Sequence, residues 1–329
     1  MKKTLLALTV PALLVAGVAQ AATVYDKDGQ TFDVYGRVQA NLYNKAASDS
    51  DKTSLVGTAR FGVKGTQAVN SQYGVFGRGE WQVNAENSTS SGKNFKSRHV
   101  YAGVDGKQLG KLTVGQTDTP YYTAALSVTD VFNEWGDAGN NYLGRQEGQF
   151  IYNNTIGGFT VGTSFQTSDK SQNLDNGYTA GLSYAFPFTL TLNAGYSNVK
   201  YDDSSKKEDW ALSSSYGTFG EPGFYAAGLY NQTKYDAGIA AGTPSSATTA
   251  AERKTNGYEL ASAYFLPNNI GFLAGYNFLK QKDGDDLVKE YLLGAQYTFT
   301  PKAYVYTEYK FNQIKDADNQ WTVAMQYNF

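Results

Sequence analysis

The side chains of this 329-residue chain that could do chemistry are charged groups rather than nucleophiles or metal ligands. Its one histidine is His99, and it has no cysteine. A catalytic triad needs a histidine beside a nucleophile and an acid, and a zinc site needs several nitrogen or sulfur ligands. The composition therefore argues against an enzyme, and we expect no catalytic residue, no metal site and no cofactor.

Four arginines occupy equivalent positions in segments where apolar or small residues alternate with polar ones. In FDVYGRVQANLYN the apolar or small set runs from Phe32 to Leu42, and Arg37 falls in the other set. Successive side chains of a strand point to opposite faces, so such a segment predicts a strand with one polar face. By this parity the polar faces of the first four strands carry Arg37, Arg60, Arg78 and Arg98. The same parity predicts that His99 points outward, away from Arg98.

Three carboxylates are concentrated in the longest connection between the alternating segments, residues 118–148. Its first part, TPYYTAALSV, is apolar enough to pack against a wall. Its second part, TDVFNEWGDAGNN, carries Asp130, Glu134 and Asp137 among glycines and asparagines. If the fold encloses an aqueous channel, this connection is the candidate to narrow it.

About sixteen alternating segments must position these groups, and apolar stripes of helical period are almost absent. Short and long connections take turns between the segments, as in outer-membrane barrels with tight turns at one end and long loops at the other. The segments lie near residues 32–44, 55–64, 73–84, 97–106, 111–117, 149–155, 158–167, 177–186, 188–200, 209–218, 223–236, 255–266, 270–281, 287–300, 301–313 and 320–329.

The pattern favours an all-β, transmembrane, antiparallel up-and-down β-barrel over a soluble β-sandwich. Many of the segments are about ten residues or longer, whereas strands in globular proteins are typically about five or six. An unpaired backbone group costs several kcal/mol in hydrocarbon, so the sheet must close and its last strand must pair with its first. In the final segment, QWTVAMQYNF, Tyr327 and Phe329 suit an interfacial aromatic belt. We expect this strand to complete the barrel.

The first 21 residues have the features of a secretory signal peptide. Lys2 and Lys3 precede an apolar run from Leu5 to Val18, and Ala19-Gln20-Ala21 is a small-x-small cleavage site. We therefore expect residues 1–21 to be removed and residues 22–329 to form the barrel. Removal of the two lysines leaves 26 basic and 30 acidic residues, a net charge of −4. This balance does not favour binding to nucleic acid.

Several segments together resemble the trimeric general-diffusion porins of Gram-negative outer membranes. They are VYGRVQANLY, ARFGVKGTQAVNSQYGVFGRGEWQVN, SRHVYAGV, LGKLTVGQTD and the terminal QWTVAMQYNF. The resemblance covers the whole chain after the signal peptide. It implies a sixteen-stranded barrel with periplasmic termini and an inward-folded third loop. It also implies a homotrimer among outer-membrane lipid and lipopolysaccharide, and passive diffusion of ions and small hydrophilic solutes.

The resemblance further implies which residues form the channel constriction. TDVFNEWG matches the acidic pattern of the family's third loop, so Asp130 and Glu134 are candidate constriction acids, with Asp137 as a third. Arg60 and Arg98 match arginine positions of the family's basic half-ring. That half-ring is expected to contain Arg37, Arg60, Arg78 and Arg98 and to face the loop acids.

The sequence departs from the family pattern at one wall position. Asn153 stands where many relatives have an arginine, and Arg145 is a candidate to compensate. Glu80 matches an acid that faces the lumen in the family. The near balance of these charges predicts weak ion selectivity, of unresolved sign.

Three alternatives stay open on the sequence alone. Tyr35 and Tyr43, which are predicted to point inward, could belong to the aromatic stripe of a sugar-specific outer-membrane channel. Long polar connections such as 237–254 could act as an adhesin or receptor surface. The acidic stretches 202–209 and 282–286 could hold calcium, although solvated loop charge is the simpler interpretation.

Overall fold

A computed structural model describes residues 22–44, 53–83, 95–236 and 253–329. The predicted signal peptide, residues 1–21, and parts of three long connections lie outside this range. The described strands are β1 (Ala22–Lys27), β2 (Gln30–Tyr43), β3 (Ser54–Ala68), β4 (Gly74–Val83), β5 (Phe95–Asp105), β6 (Lys111–Thr117), β7 (Gln146–Ile156), β8 (Phe159–Gln166), β9 (Leu174–Ala185), β10 (Leu190–Tyr201), β11 (Lys206–Tyr216), β12 (Gly223–Tyr235), β13 (Arg253–Phe265), β14 (Ile270–Gln281), β15 (Asp286–Thr300), β16 (Ala303–Asn312) and β17 (Gln320–Asn328).

Sixteen of these strands form a closed antiparallel barrel. Each strand from β2 to β16 pairs with the next, and β17 returns to pair with β2, from Thr322 opposite Tyr43 to Asn328 opposite Arg37. The chain end continues this pairing, since Gly36 N–H donates to the carbonyl of Phe329 at 3.1 Å and Phe329 N–H returns a bond at 3.0 Å. The sheet therefore has no open edge at this seam, as predicted from the cost of unpaired backbone in lipid.

Strand β1 is an addition that the alternation did not predict. β17 covers only the second half of the longer β2, and β1 pairs with the first half, from Ala22 opposite Val34 to Lys27 opposite Gln30. Without β1, the backbone groups along that half of β2 would have no neighbour on this side. Pairing of this edge is the physical reason for the seventeenth strand.

Side chains alternate between an exposed apolar outer face and a buried polar inner face. On β17, Met325 is 55% exposed while its neighbour Gln326 is 1% exposed. On β2, Val38 is exposed while Gln39 is buried. No helix in the described part of the chain is long and apolar enough to cross a membrane.

A β-bulge between β4 and β5 changes the predicted orientation of one residue. Glu80 is opposite His99, but the next pair is Trp81 with Ser97, so Arg98 is an extra residue on β5. A bulge places two residues opposite one and disturbs the alternation locally. Arg98 and His99 therefore both contact inward-facing groups, Glu80 and Thr117 respectively. The prediction that His99 points outward is wrong for this reason.

The connection between β6 and β7, residues 118–145, lies against the inner wall; we call it the inner loop. It contains a π-helical turn, Tyr122–Leu126, that contacts β9, β10 and β11. Farther along, the inner loop buries Val128, Val131 and Phe132 in an apolar cluster with wall residues Tyr225, Ala227, Ala261, Ala263, Phe265, Leu273 and Leu292. The core of this protein is thus the contact between one loop and half of the barrel wall.

Glycines on inward positions of the wall allow this close approach. A Cβ at Gly195 would lie 2.8 Å from the ring of Tyr121, and one at Gly181 would lie 2.3 Å from the carbonyl of Pro120. A larger residue at either position would displace the inner loop. Each of these glycines makes room for a loop residue that lies more than sixty positions away in the sequence.

Candidate functional site: the charged channel lumen

The carboxylate of Glu134 is attached to the barrel wall by uncharged donors. Its Oε1 accepts hydrogen bonds from Tyr306 Oη at 2.5 Å, Asn41 Nδ2 at 2.8 Å and Gln39 Nε2 at 3.2 Å. Its Oε2 accepts one from Tyr43 Oη at 2.9 Å. Four neutral donors from β2 and β16 thus stabilise the charge without cancelling it.

The other two predicted acids lie together on the inner loop. Asp130 accepts a hydrogen bond from Tyr122 Oη at 2.5 Å. Burial, reinforced by the charge of Asp137, raises the pKa of Asp130 to about 6. Asp137 is exposed to the lumen, and its enclosure within the barrel raises its pKa as well. These two carboxylates make no ion pair within the described residues.

Two of the four predicted arginines share a single counter-charge. Arg78 Nη2 lies 2.5 Å from Glu80 Oε2, and Arg98 Nε lies 2.7 Å from Glu80 Oε1. Tyr35 Oη also donates to Glu80 at 3.0 Å and accepts from Arg78 Nε at 2.6 Å. Glu80 is buried, so one carboxylate partly compensates two guanidinium groups at this point of the wall.

The other two arginines are bound to amides instead of acids. Arg37 and Arg60 are directly opposite each other on β2 and β3. Arg37 Nη1 donates to Gln326 Oε1 at 3.1 Å, and Arg60 Nε donates to Gln82 Oε1 at 2.8 Å. Within the described residues, neither arginine has a carboxylate at ion-pair distance. These two side chains therefore carry positive charge that no carboxylate within the described residues compensates.

Arg145 lies at the base of the inner loop, where it is paired with an acid. Its Nε is 3.2 Å from Asp118 Oδ2 and donates to His99 Nε2 at 3.2 Å. Asn153, the departure from the family pattern, is on β7 opposite Lys111 and Gly162. Arg145 is therefore neutralised by Asp118, a neighbour that the sequence analysis did not assign to it.

Two wall carboxylates that sequence reasoning missed hold the inner loop in place. Glu308 accepts hydrogen bonds from Asn133 N at 2.6 Å, Asn133 Nδ2 at 3.0 Å and Glu134 N at 3.1 Å. Glu259 accepts from Thr129 Oγ1 and, at 2.8 Å, from Asn140 Nδ2. Inward strand parity was the available signal for both, but it could not indicate that their partners belong to a distant loop.

Further wall side chains bind backbone carbonyls along the inner loop. Tyr225 Oη donates to Val128 O at 2.6 Å, Asn277 Nδ2 to Trp135 O at 2.9 Å and Asn231 Nδ2 to Gly139 O at 2.9 Å. A buried carbonyl without a partner is costly, so these bonds satisfy a segment with little regular structure of its own. The inner loop is thus attached from residue 128 to residue 139.

The acidic stretches that were considered as calcium sites are engaged in ordinary contacts. Asp203 accepts hydrogen bonds from Ser205 Oγ at 2.6 Å and Ser205 N at 2.9 Å, and these bonds lower its pKa. Asp286 pairs with Lys280 and Lys289. In the described ranges, no group of three or more histidine, cysteine or acidic side chains is placed to hold a metal ion.

Taken together, the contacts place opposite charges around one enclosed space. The inner loop presents Asp130, Glu134 and Asp137, while β2 and β3 present Arg37 and Arg60. Gln39, which touches Glu134, is two residues from Arg37 on the same strand face, or ~7 Å by strand rise. Such an arrangement can act on ions and dipolar solutes through fixed charge and contains no group placed for bond chemistry among these residues.

Comparison with known proteins agrees with this geometry. A family model described as Gram-negative porin matches residues 7–317. The chain is 30% identical to "Outer membrane protein YedS" of Escherichia coli, with all of both chains covered. It is 29% identical to "Outer membrane porin PhoE" of Escherichia coli K12, covering 98% of this chain and 96% of PhoE.

Solved structures show the same fold at lower identity. The structure titled "Salmonella typhi OmpF complex with Daunomycin" has a TM-score of 0.81 at 22% identity and covers 94% of this chain and 100% of that one. An "Anion-selective porin from Comamonas acidovorans" has a TM-score of 0.69 at 17% identity, covering 91% of this chain and 100% of that one. With a closed barrel, a charged lumen and a family match across nearly its whole length, the chain belongs to the Gram-negative porins and is a passive diffusion channel of the outer membrane.

Proposed function

We propose that the inner loop and the arginine-bearing wall form the channel constriction. In this proposal Asp130, Glu134 and Asp137 face a basic half-ring of Arg37, Arg60, Arg78 and Arg98. The observation that carries it is the attachment of uncompensated loop carboxylates inside the barrel, beside a wall on which Arg37 and Arg60 lack an acid within the described residues. The constriction region would then pass ions and small hydrophilic solutes.

Opposed fixed charges would produce a field across the channel. A small polar solute can align its dipole with this field, whereas an apolar solute must displace oriented water without that gain. Four arginines stand against three loop acids and Glu80, so the net charge is close to zero and the expected ion selectivity is weak.

Planar-bilayer recordings in a salt gradient test the assignment. Asp130→Asn and Glu134→Gln should each move the reversal potential toward anions, because each removes a negative charge from the channel. Glu221→Gln is the matched control, since Glu221 is exposed in the turn between β11 and β12 and loses the same charge outside the lumen. Reversal potentials equal to that of the control would remove the two acids from the constriction.

We further propose that the mature chain is residues 22–329, that it assembles as a homotrimer among lipid and lipopolysaccharide, and that it is not an enzyme. One solved relative, OmpT of Vibrio cholerae, is described in a trimer form. Conductance that rises in groups of three equal steps supports the trimer. Single independent steps contradict it.

The sugar-specific channel is less favoured, because the relatives YedS and PhoE are called an outer membrane protein and an outer membrane porin, with no sugar in either name. Maltodextrin titration separates the two. A general porin should show little current block, and saturable block at low sugar concentration would restore the alternative.

A further inference from the structure

The two ends of the inner loop are joined by a hydrogen-bond network of residues outside the proposed constriction. We call Asp118, Tyr142 and Arg145 the loop clasp. Arg145 Nε lies 3.2 Å from Asp118 Oδ2, and Tyr142 Oη donates to Asp118 Oδ1 at 3.2 Å. Tyr142 Oη in turn accepts a bond from Thr119 N at 3.0 Å. The first and last residues of the loop thus hold one another.

His99 fixes the loop clasp to the barrel wall. An arginine can only donate, so His99 Nε2 must accept the bond from Arg145 and must be unprotonated. The proton then resides on Nδ1, which lies 2.9 Å from Thr117 Oγ1. The bulge that turned His99 inward therefore supplies a neutral acceptor for the base of the inner loop.

The loop clasp reaches the acidic part of the loop through a pair of stacked rings. Tyr122 and Tyr142 stack with their centroids 4.7 Å apart and their planes 17° apart. Tyr122 Oη then donates to Asp130 Oδ2 at 2.5 Å. Burial raises the pKa of Tyr122, so its hydroxyl remains a donor. Each step from Arg145 to Asp130 is a direct contact between neighbouring groups.

We propose that Tyr122 is a positioning residue for the constriction, held by the loop clasp so that its hydroxyl orients the Asp130 carboxylate and stabilises its negative charge. This inference rests on the proposed function, because it concerns the same carboxylate. It adds a residue that sequence and family resemblance did not assign. In this proposal, the hydrogen bond from Tyr122 helps to set the pH at which Asp130 gains its negative charge.

The charged groups around Asp130 determine the direction of the effect. Asp137 and Asp118 on the inner loop disfavour its ionised form, and Arg145 favours it. Glu259 on β13 is the wall carboxylate that interacts with it. With its pKa at about 6, Asp130 is charged above that pH and becomes neutral below it. The cation-to-anion permeability ratio should therefore fall as the pH decreases through about 6.

The test is the pH dependence of the cation-to-anion permeability ratio of the full channel in planar bilayers between about pH 4.5 and 8, a range that brackets the Asp130 pKa. Tyr122→Phe keeps the ring stack but removes the donor, so the midpoint of the transition should move up by about one pH unit, or tenfold in proton affinity. Tyr304→Phe is the matched control, because it removes a hydroxyl that bonds Asn133 Oδ1 at 3.0 Å and does not touch Asp130. Its midpoint should equal that of the unmodified channel.

Asp130→Asn separates failure of this inference from failure of the proposed function. If Asp130→Asn moves the reversal potential but Tyr122→Phe leaves the midpoint unchanged, Tyr122 has no positioning role and the constriction assignment survives. If Asp130→Asn changes neither the reversal potential nor the pH dependence of the permeability ratio, the constriction role of Asp130 fails as well. Should Tyr122→Phe not insert as a channel, Tyr142→Ala, which removes both the ring stacked on Tyr122 and the bond to Asp118, must raise the midpoint, or the inference is overturned.

Discussion

The arginine-bearing wall of β2 to β5 and the inner loop manage charge in different ways. On the wall, charge is balanced in part by neighbours within the sheet, as Glu80 on β4 partly balances Arg78 on the same strand and Arg98 on β5. On the inner loop, the carboxylate of Glu134 is held by neutral donors from strands that are far away in sequence. Strand pairing therefore fixes the positions of the wall charges, whereas contacts with the wall fix the positions of the loop charges.

This difference makes the two regions sensitive to different substitutions. A change on the wall should alter net charge while the barrel geometry stays intact, because the strands are fixed by backbone pairing. A change at a docking contact should alter the position of the whole loop.

Glu308→Ala should release the inner loop from the wall. It removes the charged acceptor of Asn133 N and Glu134 N, and the loss of these charge-assisted bonds should weaken docking by about 3 kcal/mol. Amide hydrogen exchange at Asn133 and Glu134 should accelerate by about a hundredfold, since 1.4 kcal/mol corresponds to a factor of ten. Single-channel current should become noisier. Unchanged exchange at both amides would show that the loop does not depend on this carboxylate.

Glu80→Gln should change selectivity without moving the inner loop. It leaves Arg78 and Arg98 without their shared counter-charge, so the reversal potential should move toward anions. Gln82→Glu is the converse variant, because it places a carboxylate beside Arg60 and should move the potential toward cations. Exchange of the inner-loop amides should stay unchanged in both. Equal potentials in the two variants would contradict a charge-controlled wall.

Tyr304→Phe should have the smallest effect. It deletes one hydroxyl bond to Asn133, worth about 1 kcal/mol, while the three bonds that Asn133 and Glu134 donate to Glu308 remain. Exchange at Asn133 should rise by less than about tenfold, and conductance should not change. An effect as large as that of Glu308→Ala would show that Tyr304, rather than the buried carboxylate, anchors this part of the loop.

Much of the barrel could be predicted from sequence because strand parity is a local property. Alternation located the sixteen barrel strands and identified Arg37, Arg60, Arg78 and Arg98 as inward residues, all of which contact inner-wall polar groups. Parity failed at His99, where one extra residue in β5 shifts the register. It also missed β1, because this short strand depends on the half of β2 that β17 does not pair with, and parity along the sequence does not show that half.

The contacts of the inner loop could not be predicted in the same way. Glu259 and Glu308 occupy ordinary inward positions, and nothing near them in sequence indicates Thr129, Asn133 or Asn140 as partners. Similarly, the sequence makes Arg145 a candidate to compensate in part for the missing wall arginine, but its carboxylate partner is Asp118, at the other end of the loop.

The amino-acid order by itself determined that this chain makes long two-faced strands and that they must close on themselves in lipid. It also determined that four arginines lie on the first barrel strands and three acids in one long connection. Those features depend on the two-residue period of a strand and on the cost of unpaired backbone. Only the tertiary structure decided which charges remain uncompensated and how Asp130 is held. Those outcomes depend on contacts across the lumen between residues with no regular spacing in sequence.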